Sequence, residues 1–289
     1  MHEQTRLIIV SGLSGSGKTV ALHTLEDNGC YCIDNLPVTM LAAFGEHVTN
    51  LEPEAFGHYA VGVDARNRMH DLEAFPEILT ELQRVTGIQP EILFLTADEN
   101  TLIKRFSETR RRHPLSSSDV PLADAIARER ALLVPIQSQA DLVIDTTETT
   151  LHQLRDLVRQ RLTRNSRKLS LLFQSFGFKH GAPTDADFVF DARVLPNPHW
   201  EPALRALTGQ DEPVARYLSS HTSVETMYTD IRDFLDRWIP AFKAENRSYL
   251  TVAIGCTGGQ HRSVYLCGRL ADHFDDGTQD VSVRHRELS

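Results

Sequence analysis

The chain has 289 residues, enough for two domains that each bury a hydrophobic core. Hydrophobic residues make up 41% of it and charged residues 24%, and no apolar run approaches the roughly 18 residues that a membrane helix needs. The formal net charge of −9 argues against a protein that coats nucleic acid over its whole surface. The polar N-terminus passes directly into an apolar strand without a signal-peptide pattern, so we expect a cytoplasmic protein with no membrane partner.

Short apolar runs alternate with helical stretches along the first half of the chain. The predicted strands are residues 6–11, 31–34, 59–64, 92–96 and 142–145, and the first predicted helix spans about Lys18–Asp27. This alternation implies a parallel sheet with helices on both faces. It predicts an α/β domain over residues 1–150, followed by a linker helix over residues 151–165.

A second alternation follows the linker. Strands are predicted at residues 169–176, 188–191, 249–255 and 281–283, with helices near residues 213–219, 224–244 and 262–274. The sequence therefore predicts a second, smaller α/β domain over residues 166–289.

The strongest motif lies directly after the first strand. Residues 12–19 read GLSGSGKT, which fits the P-loop pattern G-x-x-x-x-G-K-[ST], and the motif opens a helix, as a P-loop must. Glycines let main-chain N–H groups converge on phosphate, and the helix N-terminus adds its positive end. The residues predicted to bind a nucleoside triphosphate are Gly12, Leu13, Ser14, Gly15, Ser16, Gly17, Lys18 and Thr19. Lys18, facing the β- and γ-phosphates, and Thr19, binding Mg²⁺, are the candidate catalytic residues.

The second ligand of that Mg²⁺ is open between several residues. Asp34 and Asp64 each end a predicted strand, while Thr96 ends another and Asp98 follows it by two positions. A carboxylate at a strand end suits Mg²⁺, but each of these aspartates is equally suited to cap a helix or a turn.

Arg105 and Arg110–Arg112 are predicted to lie on a helix close behind that strand. Arginines in this place can stabilise charge on a transferring phosphate, or they can form a solvated basic surface. No Asn-Lys-x-Asp guanine motif is present, so ATP and GTP are both compatible with the sequence.

A second phosphate-binding pattern follows the strand Tyr249–Gly255. The run CTGGQHRS combines a Gly-Gly turn, a helix start and the side chains of His261 and Arg262, which suit a phosphate monoester. It also matches C-x₅-R-[ST], the loop of phosphatases in which a cysteine thiolate, here Cys256, attacks phosphorus. Phosphate binding without catalysis is favoured over the phosphatase, because Asp191 is the only candidate for a general acid. A purely structural turn is the third interpretation.

A local excess of positive charge lies around the predicted linker helix. Arg155, Arg159, Arg161, Arg164, Arg167 and Lys168 face only Asp156. This side of the molecule is the candidate surface for RNA, with a solvated basic helix as the alternative.

Five motifs in this order resemble the RapZ/YvcJ family. They are the P-loop with YCIDNLP at residues 31–37, ETRRRHPL at 108–115, SFGFKHG at 175–181, NPHW at 197–200, and residues 255–263. The resemblance implies an ATP- or GTP-binding N-terminal domain with Mg²⁺ and weak hydrolysis. It also implies a second nucleotide contact at Asp64, Ala65, Arg66 and Asn67, for which a strand-end turn is the alternative.

For the C-terminal domain the resemblance implies that an aminosugar phosphate, glucosamine 6-phosphate, is bound. The residues implied for that pocket are His199, Thr257, Gly258, Gly259, His261 and Arg262. It further implies a homo-oligomer that binds small regulatory RNA and delivers it to a ribonuclease.

The sequence departs from the family pattern at two points. Thr96 stands where the family has a carboxylate, which predicts slow metal-assisted hydrolysis. The residues 284–289 lack the Lys/Arg-rich tail of RNA-adapter members, which predicts weaker binding to a phosphate backbone. A small-molecule kinase and a cysteine-dependent phosphatase stay open as alternatives to a regulatory adapter.

Overall fold

The computed structural model describes residues 6–50, 57–162, 168–245 and 247–288. The chain divides into two compact units, Met1–Thr163 and Arg164–Ser289, each with its own sheet and core. None of the helices in the described ranges is long and apolar enough to cross a membrane. The α/β architecture predicted from the alternation of strands and helices is confirmed in both units.

The first unit is built on a five-stranded parallel sheet. Its strands are β1 (Arg6–Gly12), β2 (Tyr31–Ile33), β3 (His58–Gly62), β4 (Glu91–Thr96) and β5 (Leu142–Asp145), in the order β2-β3-β1-β4-β5. Residues 7–10 of β1 are fully buried, which explains their unbroken apolar run. The strand order reverses beside β1, and parallel sheets bind ligands beyond the strand ends at such a point.

Eight helices in the described part of this unit cover the sheet. They are α1 (Lys18–Asp27), α2 (Leu41–Thr49), α3 (Met69–Glu73), α4 (Phe75–Thr86), α5 (Glu99–Thr109), α6 (Leu122–Leu132), α7 (Val134–Gln137) and α8 (Leu151–Leu162). Local residues explain their ends. For example, α4 has Pro76 in its first turn and ends at Gly87, whose φ of 70° is left-handed.

The helix predicted as a linker is α8, and it belongs to the first unit. It packs along α1, and a Cβ at Gly17 would lie 2.5 Å from Leu154 Cδ2. The boundary between the units falls after Thr163 rather than at residue 150, because the apolar face of α8 is buried on α1. Residues 163–167, which include Arg164 and Arg167 of the predicted basic cluster, lie outside the described residues.

The second unit has a four-stranded parallel sheet. Its strands are β6 (Ser170–Gly177), β7 (Phe188–Asp191), β8 (Tyr249–Cys256) and β9 (Asp280–His285), in the order β7-β8-β6-β9. The helices are α9 (Glu212–Ser219), α10 (Thr222–Ala244) and α11 (Arg262–Phe274), with short 3-10 turns at Phe178–His180 and Pro198–Trp200. In the register, Gly177 lies opposite Cys256, and Asp191 lies opposite Gly255. The loops that follow β6, β7 and β8 therefore begin at the same edge of the sheet.

Candidate functional site

The loop between β1 and α1 has a backbone that requires glycine at two points. Gly12 has a φ of 148°, and a Cβ there would lie 2.8 Å from Leu95 Cβ on β4. Gly17 has a φ of 110°, and α8 occupies the space where its Cβ would stand. The predicted P-loop thus has the tight turn that lets main-chain N–H groups approach phosphate, with the N-terminus of α1 directed to the same place.

Lys18, in the first turn of α1, forms ion pairs with two carboxylates. Its Nζ lies 2.9 Å from Asp34 Oδ1 and 2.8 Å from Asp64 Oδ2. Burial raises the pKa of Asp64, but hydrogen bonds from Arg66 and Lys18 together outweigh it and lower that pKa to about 2. Asp64 is therefore ionised at neutral pH, and its charge is balanced by the two cations beside it.

Residues 64–67 form a turn in contact with that lysine. The Arg66 N–H donates to Asp64 Oδ1 at 3.0 Å, and the Arg66 guanidinium lies 2.6 Å from Asp64 Oδ2. Asn67 accepts the N–H of Val38 at 2.9 Å and donates to the Asp64 carbonyl at 3.0 Å, while Ala65 is buried. Asp64 and Asn67 hold the turn. The Arg66 side chain is half exposed and is the part of the turn that a ligand can reach.

Neither of the two candidates near the end of β4 supplies a free carboxylate to Mg²⁺. Asp98 is the N-cap of α5, where its Oδ1 accepts the N–H of Thr101 at 2.6 Å, so it acts as the helix cap that was the alternative interpretation. Thr96 ends β4 and is buried, opposite Asp145 of β5. Asp145 has no signal of its own in the sequence, because the pairing of β4 with β5 is not visible there.

The two remaining carboxylates fit Mg²⁺. Thr19 is exposed in the first turn of α1, one residue from Lys18, whose amine touches both Asp34 and Asp64. These are hard oxygen donors of the kind that Mg²⁺ takes. The described residues contain no group of three or more His, Cys, Asp and Glu side chains suited to a metal, so phosphate oxygens and water would complete its shell.

Arg105 supports the main chain of the P-loop. Its guanidinium donates to the Gly15 carbonyl at 3.0 Å and to the Thr146 carbonyl at 2.6 Å, and burial lowers its pKa. The Thr146 hydroxyl in turn donates to the Ser16 carbonyl at 2.9 Å. Arg105 therefore holds the loop's shape, a role that differs from both interpretations left open for it, a phosphate contact and a solvated surface.

The next three arginines do not lie on a helix, which corrects the prediction. Helix α5 ends at Thr109, and Arg110 caps it with a left-handed φ of 52°. Arg111 and Arg112 follow in the loop beyond, and all three side chains are exposed. A loop after a helix end leaves these cations free to turn toward a phosphate.

Two residues without a predicted role lie behind the P-loop: Glu129 on α6 contacts the loop, and His113, in the loop before α6, contacts Glu129. Both the main-chain N–H and the hydroxyl of Ser14 donate to the Glu129 carboxylate, at 2.8 and 2.6 Å. His113 Nε2 lies 3.1 Å from the same carboxylate. His113 stands inside the ETRRRHPL motif, whereas Glu129 has no sequence signal beyond being an acidic residue in an amphipathic helix.

The loop after β8, which contains Gly258 and Gly259, is packed closely against Gly177 at the end of β6. A Cβ at Gly177 would lie 2.8 Å from the Gly258 main chain, and a Cβ at Gly259, whose φ is 73°, would lie 2.7 Å from the Gly177 N atom. Gly259 also abuts the Glu287 carboxylate. The turn is therefore compact, with its main chain close to the edge of the sheet and to the start of α11.

A further cation lies beside this loop. Lys179 Nζ is 3.9 Å from the position that a Cβ at Gly258 would take, and the Lys179 N–H donates to the Thr257 carbonyl at 3.3 Å. In the sequence, Lys179 stands out only as part of the SFGFKHG motif, with no role of its own. The parallel pairing of β6 with β8 brings it to the Gly-Gly turn.

Arg262 is buried, and part of its guanidinium is used by the protein itself. Nη1 donates to the carbonyls of Arg193 and Leu195 at 2.8 and 3.0 Å, and Nη2 lies 3.2 Å from Thr257 Oγ1. The buried Nε has no hydrogen-bond partner among the described residues. One edge of the guanidinium therefore anchors the loop after β7, which leaves Nε and the second N–H of Nη2 for the phosphate contact predicted from the sequence.

His261 and His199, which the resemblance places in one pocket, lie near each other, with ring centroids 6.5 Å apart. His199 stands in the turn after β7, where Asn197 caps the turn by accepting the His199 N–H at 3.3 Å. His261 Nε2 lies 3.3 Å from the Leu204 carbonyl. Burial is the main cause that lowers the pKa of His261, so the ring is neutral at pH 7 in the absence of ligand.

We expect a phosphate monoester bound here to draw a proton onto His261. The dianion favours the charged ring and raises its lowered pKa, so binding should tighten as the pH falls from about 8 to about 6.5, above the second phosphate pKa of about 6. Titration calorimetry in two buffers of different ionisation enthalpy measures the proton uptake. His261→Asn should abolish the uptake, and equal uptake by the variant would contradict the assignment.

The Cys256 thiol is an acceptor within the loop. The Gly259 N–H lies 3.2 Å from Sγ, and Ser263 Oγ also lies 3.2 Å from it. Burial raises the pKa of Cys256, but the hydrogen bonds from Ser263 and from the loop N–H groups outweigh it, and the net pKa is lowered. These hydrogen bonds favour the thiolate form relative to an ordinary cysteine.

Asp191, the tentative general acid for a phosphatase, is unsuited to that role. Its carboxylate lies 2.7 Å from the Arg193 guanidinium, and that hydrogen bond is the main cause that lowers its pKa. An acid that is ionised at neutral pH has no proton to give to a leaving group.

Comparison with known proteins gives matches along the whole chain. Residues 5–166 match the family described as RapZ-like N-terminal domain, and residues 169–289 match the RapZ C-terminal domain. A protein named "Nucleotide-binding protein" from Alkalilimnicola ehrlichii is 62% identical over 98% of this chain and 98% of its own. The "RNase adapter protein RapZ" of Photorhabdus laumondii is 51% identical, also over 98% of each chain. A solved shikimate kinase from Acinetobacter baumannii, at 17% identity and a TM-score of 0.36, covers 55% of this chain and 93% of its own, too distant to bear on activity.

Proposed function

We propose that this chain, which belongs to the RapZ family, is a nucleotide-binding regulatory protein and that it senses a phosphorylated aminosugar. In this proposal the first unit binds ATP or GTP with Mg²⁺ and hydrolyses it weakly. The second unit binds glucosamine 6-phosphate, and a homo-oligomer presents small regulatory RNA to a ribonuclease.

The nucleotide half of the proposal is supported by the geometry around Lys18. When its amine turns to the β- and γ-phosphates, Asp34 loses its lysine partner and Asp64 keeps only Arg66, so both carboxylates gain capacity to hold Mg²⁺ together with Thr19. Arg66 and the exposed Arg110–Arg112 supply further charge for the polyphosphate.

We expect Thr96→Asp to raise the rate of triphosphate hydrolysis, because it adds a carboxylate at the end of β4, beside the P-loop strand. Release of inorganic phosphate at saturating ATP and Mg²⁺ measures the effect. Asp98→Asn is the matched control and should leave the rate unchanged, since Asp98 caps α5. An unaltered rate in Thr96→Asp together with a lost rate in Asp64→Asn would mean that the catalytic metal is held beside Lys18 alone.

The phosphosugar half of the proposal is carried by one observation: the compact Gly258-Gly259 turn at the start of α11 has three basic side chains around it. Lys179 lies beside Gly258, while His261 and Arg262 follow in the chain. Main-chain N–H groups at a helix N-terminus with nearby cations form an anion site. The resemblance supplies the identity of the sugar.

Titration calorimetry on the full chain with glucosamine 6-phosphate, glucose 6-phosphate and inorganic phosphate tests this half. Glucosamine 6-phosphate should bind most tightly, and Lys179→Ala should weaken it by the roughly 1.5–3 kcal/mol of a charge-assisted contact. Lys104→Ala, an exposed lysine on α5, is the control. Absence of binding by all three ligands would refute the pocket.

The RNA part of the proposal rests on the named relatives and on a basic face of α8. That face has fewer exposed arginines and lysines than the sequence suggested. On α8, Arg155 and Arg159 are exposed, but Arg161 is buried, and Lys168 donates to the Gly277 carbonyl at 2.7 Å. Burial of Arg161 removes it from any phosphate contact. Co-purification of RNA with the tagged protein, compared with Arg155→Ala/Arg159→Ala, tests this part; unchanged RNA yield in the variant would exclude the α8 face.

A cysteine-dependent phosphatase is the second candidate, favoured by the lowered pKa of Cys256. In that reaction the thiolate attacks phosphorus, the P–O ester bond breaks as the leaving oxygen takes a proton, and water then cleaves the S–P bond. The commitment of Arg262 Nη1 to two carbonyls and the ionised Asp191 count against it. Phosphate released from glucosamine 6-phosphate by the wild type and not by Cys256→Ser would establish this activity. Binding retained in Cys256→Ser with no release by either protein would exclude it.

A further inference from the structure

A buried relay joins the P-loop to the loop that carries the exposed arginines. Glu129 on α6 and the His113 ring both have no exposed side-chain surface. Glu129 accepts the N–H and the hydroxyl of Ser14, and His113 Nε2 lies 3.1 Å from Glu129 Oε2. The Leu115 N–H donates to His113 Nδ1 at 3.1 Å, so the proton of the neutral ring is on Nε2 and is donated to Glu129.

The buried position of the Glu129 carboxylate calls for a physical explanation. It is acidic and fully buried beside a loop that receives an anion, where its charge opposes phosphate. Three donors converge on it, from Ser14 twice and from His113 once, and a carboxylate can accept all three at the same time. Its position fixes Ser14, because it accepts both the main-chain N–H and the hydroxyl of that residue.

A second set of contacts links the same two loops. Phe106 packs on Gly15, where a Cβ would lie 3.4 Å from its ring, and its ring centroid is 5.1 Å from that of His113. Arg105, its neighbour, donates to the Gly15 carbonyl. The end of α5, His113 and the P-loop thus form one packed group, and Arg110–Arg112 lie on the short stretch between its members.

We infer that Glu129 and His113 are positioning residues that couple the P-loop to Arg110–Arg112, so that these arginines address the terminal phosphate of a bound triphosphate. Moving Ser14 moves Glu129 and His113, and His113 is directly joined to Arg112 in the chain. The inference rests on the proposed triphosphate site and adds to it a route by which the loop and the arginines respond to the same ligand.

The test compares affinities for ATP and ADP in four proteins. These are the wild type, His113→Phe, a variant with Arg110, Arg111 and Arg112 replaced by Ala, and the combination of both changes. His113→Phe keeps a ring against Phe106 and removes both nitrogen contacts. A fifth protein, His113→Gln, restores a donor to Glu129 and serves as the rescue variant. We expect His113→Phe to weaken ATP about tenfold, the size of a typical coupling, and to change ADP affinity less than about twofold. In the combined variant, removal of the arginines should have no further effect.

Thermal unfolding shows whether each variant folds, and only folded variants enter the comparison. Equal loss of ATP and ADP affinity in His113→Phe, or arginine effects that simply add to it, would overturn the coupling and leave a packing role. Failure of the wild type to bind either nucleotide would instead refute the triphosphate site itself. Should His113→Phe not fold, Glu129→Gln takes its place in the same comparison, because it keeps the volume and reduces the acceptors that hold Ser14 and His113.

Discussion

Replacement of Lys18 by Ala should weaken ATP and GTP binding by at least about 1.5–3 kcal/mol, roughly tenfold to more than a hundredfold in Kd. The change removes the cation that faces the β- and γ-phosphates. It also leaves the buried Asp64 with Arg66 alone and Asp34 without its partner at 2.9 Å, so two carboxylates with one cation between them repel the incoming polyphosphate. Titration calorimetry with each nucleotide measures the effect.

Lys104→Ala is the matched control, because that lysine is exposed on α5 and no contact with the P-loop is seen for it in the described part of the chain. Thermal unfolding of both variants separates lost binding from lost structure. Unchanged affinity for both nucleotides in a folded Lys18→Ala protein would remove the basis of the P-loop assignment.

Arg262→Ala should have two measurable consequences in the second unit. Sugar phosphate affinity should fall by about 1.5–3 kcal/mol, since the guanidinium edge formed by Nε and Nη2 is lost. Stability should fall as well, because the carbonyls of Arg193 and Leu195 lose their donor, at about 1–3 kcal/mol for a buried group left unsatisfied. Arg262→Lys should recover only part of both, since one ammonium cannot serve the carbonyls and a phosphate together.

Arg216→Ala, an exposed arginine on α9 paired with Glu212, is the control for the loss of a positive charge. Calorimetry and thermal unfolding on these three variants decide between two roles for Arg262. A lowered melting temperature with unchanged sugar phosphate affinity would make it an anchor of the loop after β7 and nothing more.

The sequence alone determined the features that depend on neighbouring residues. The alternation of apolar runs and helical periods predicted the parallel sheet of the first unit and the α/β class of the second, since burial on two faces leaves its pattern in consecutive residues. Gly12 and Gly17 predicted the P-loop, because left-handed backbone and close approach restrict the residue type at those positions themselves. The Gly258-Gly259 turn before α11 was readable for the same reason.

Only the tertiary structure decided how those motifs are completed. Glu129 lies 115 positions from Ser14, and Arg262 lies 69 positions from Arg193, so their contacts depend on strand order and helix packing and have no local pattern. Burial likewise places Arg161 in the interior of the first unit, while the pairing of β6 with β8 brings Lys179 to the Gly258-Gly259 turn. The sequence does not show whether a charged side chain contacts solvent, a main-chain carbonyl or a ligand. The packing around that side chain determines which of these it contacts.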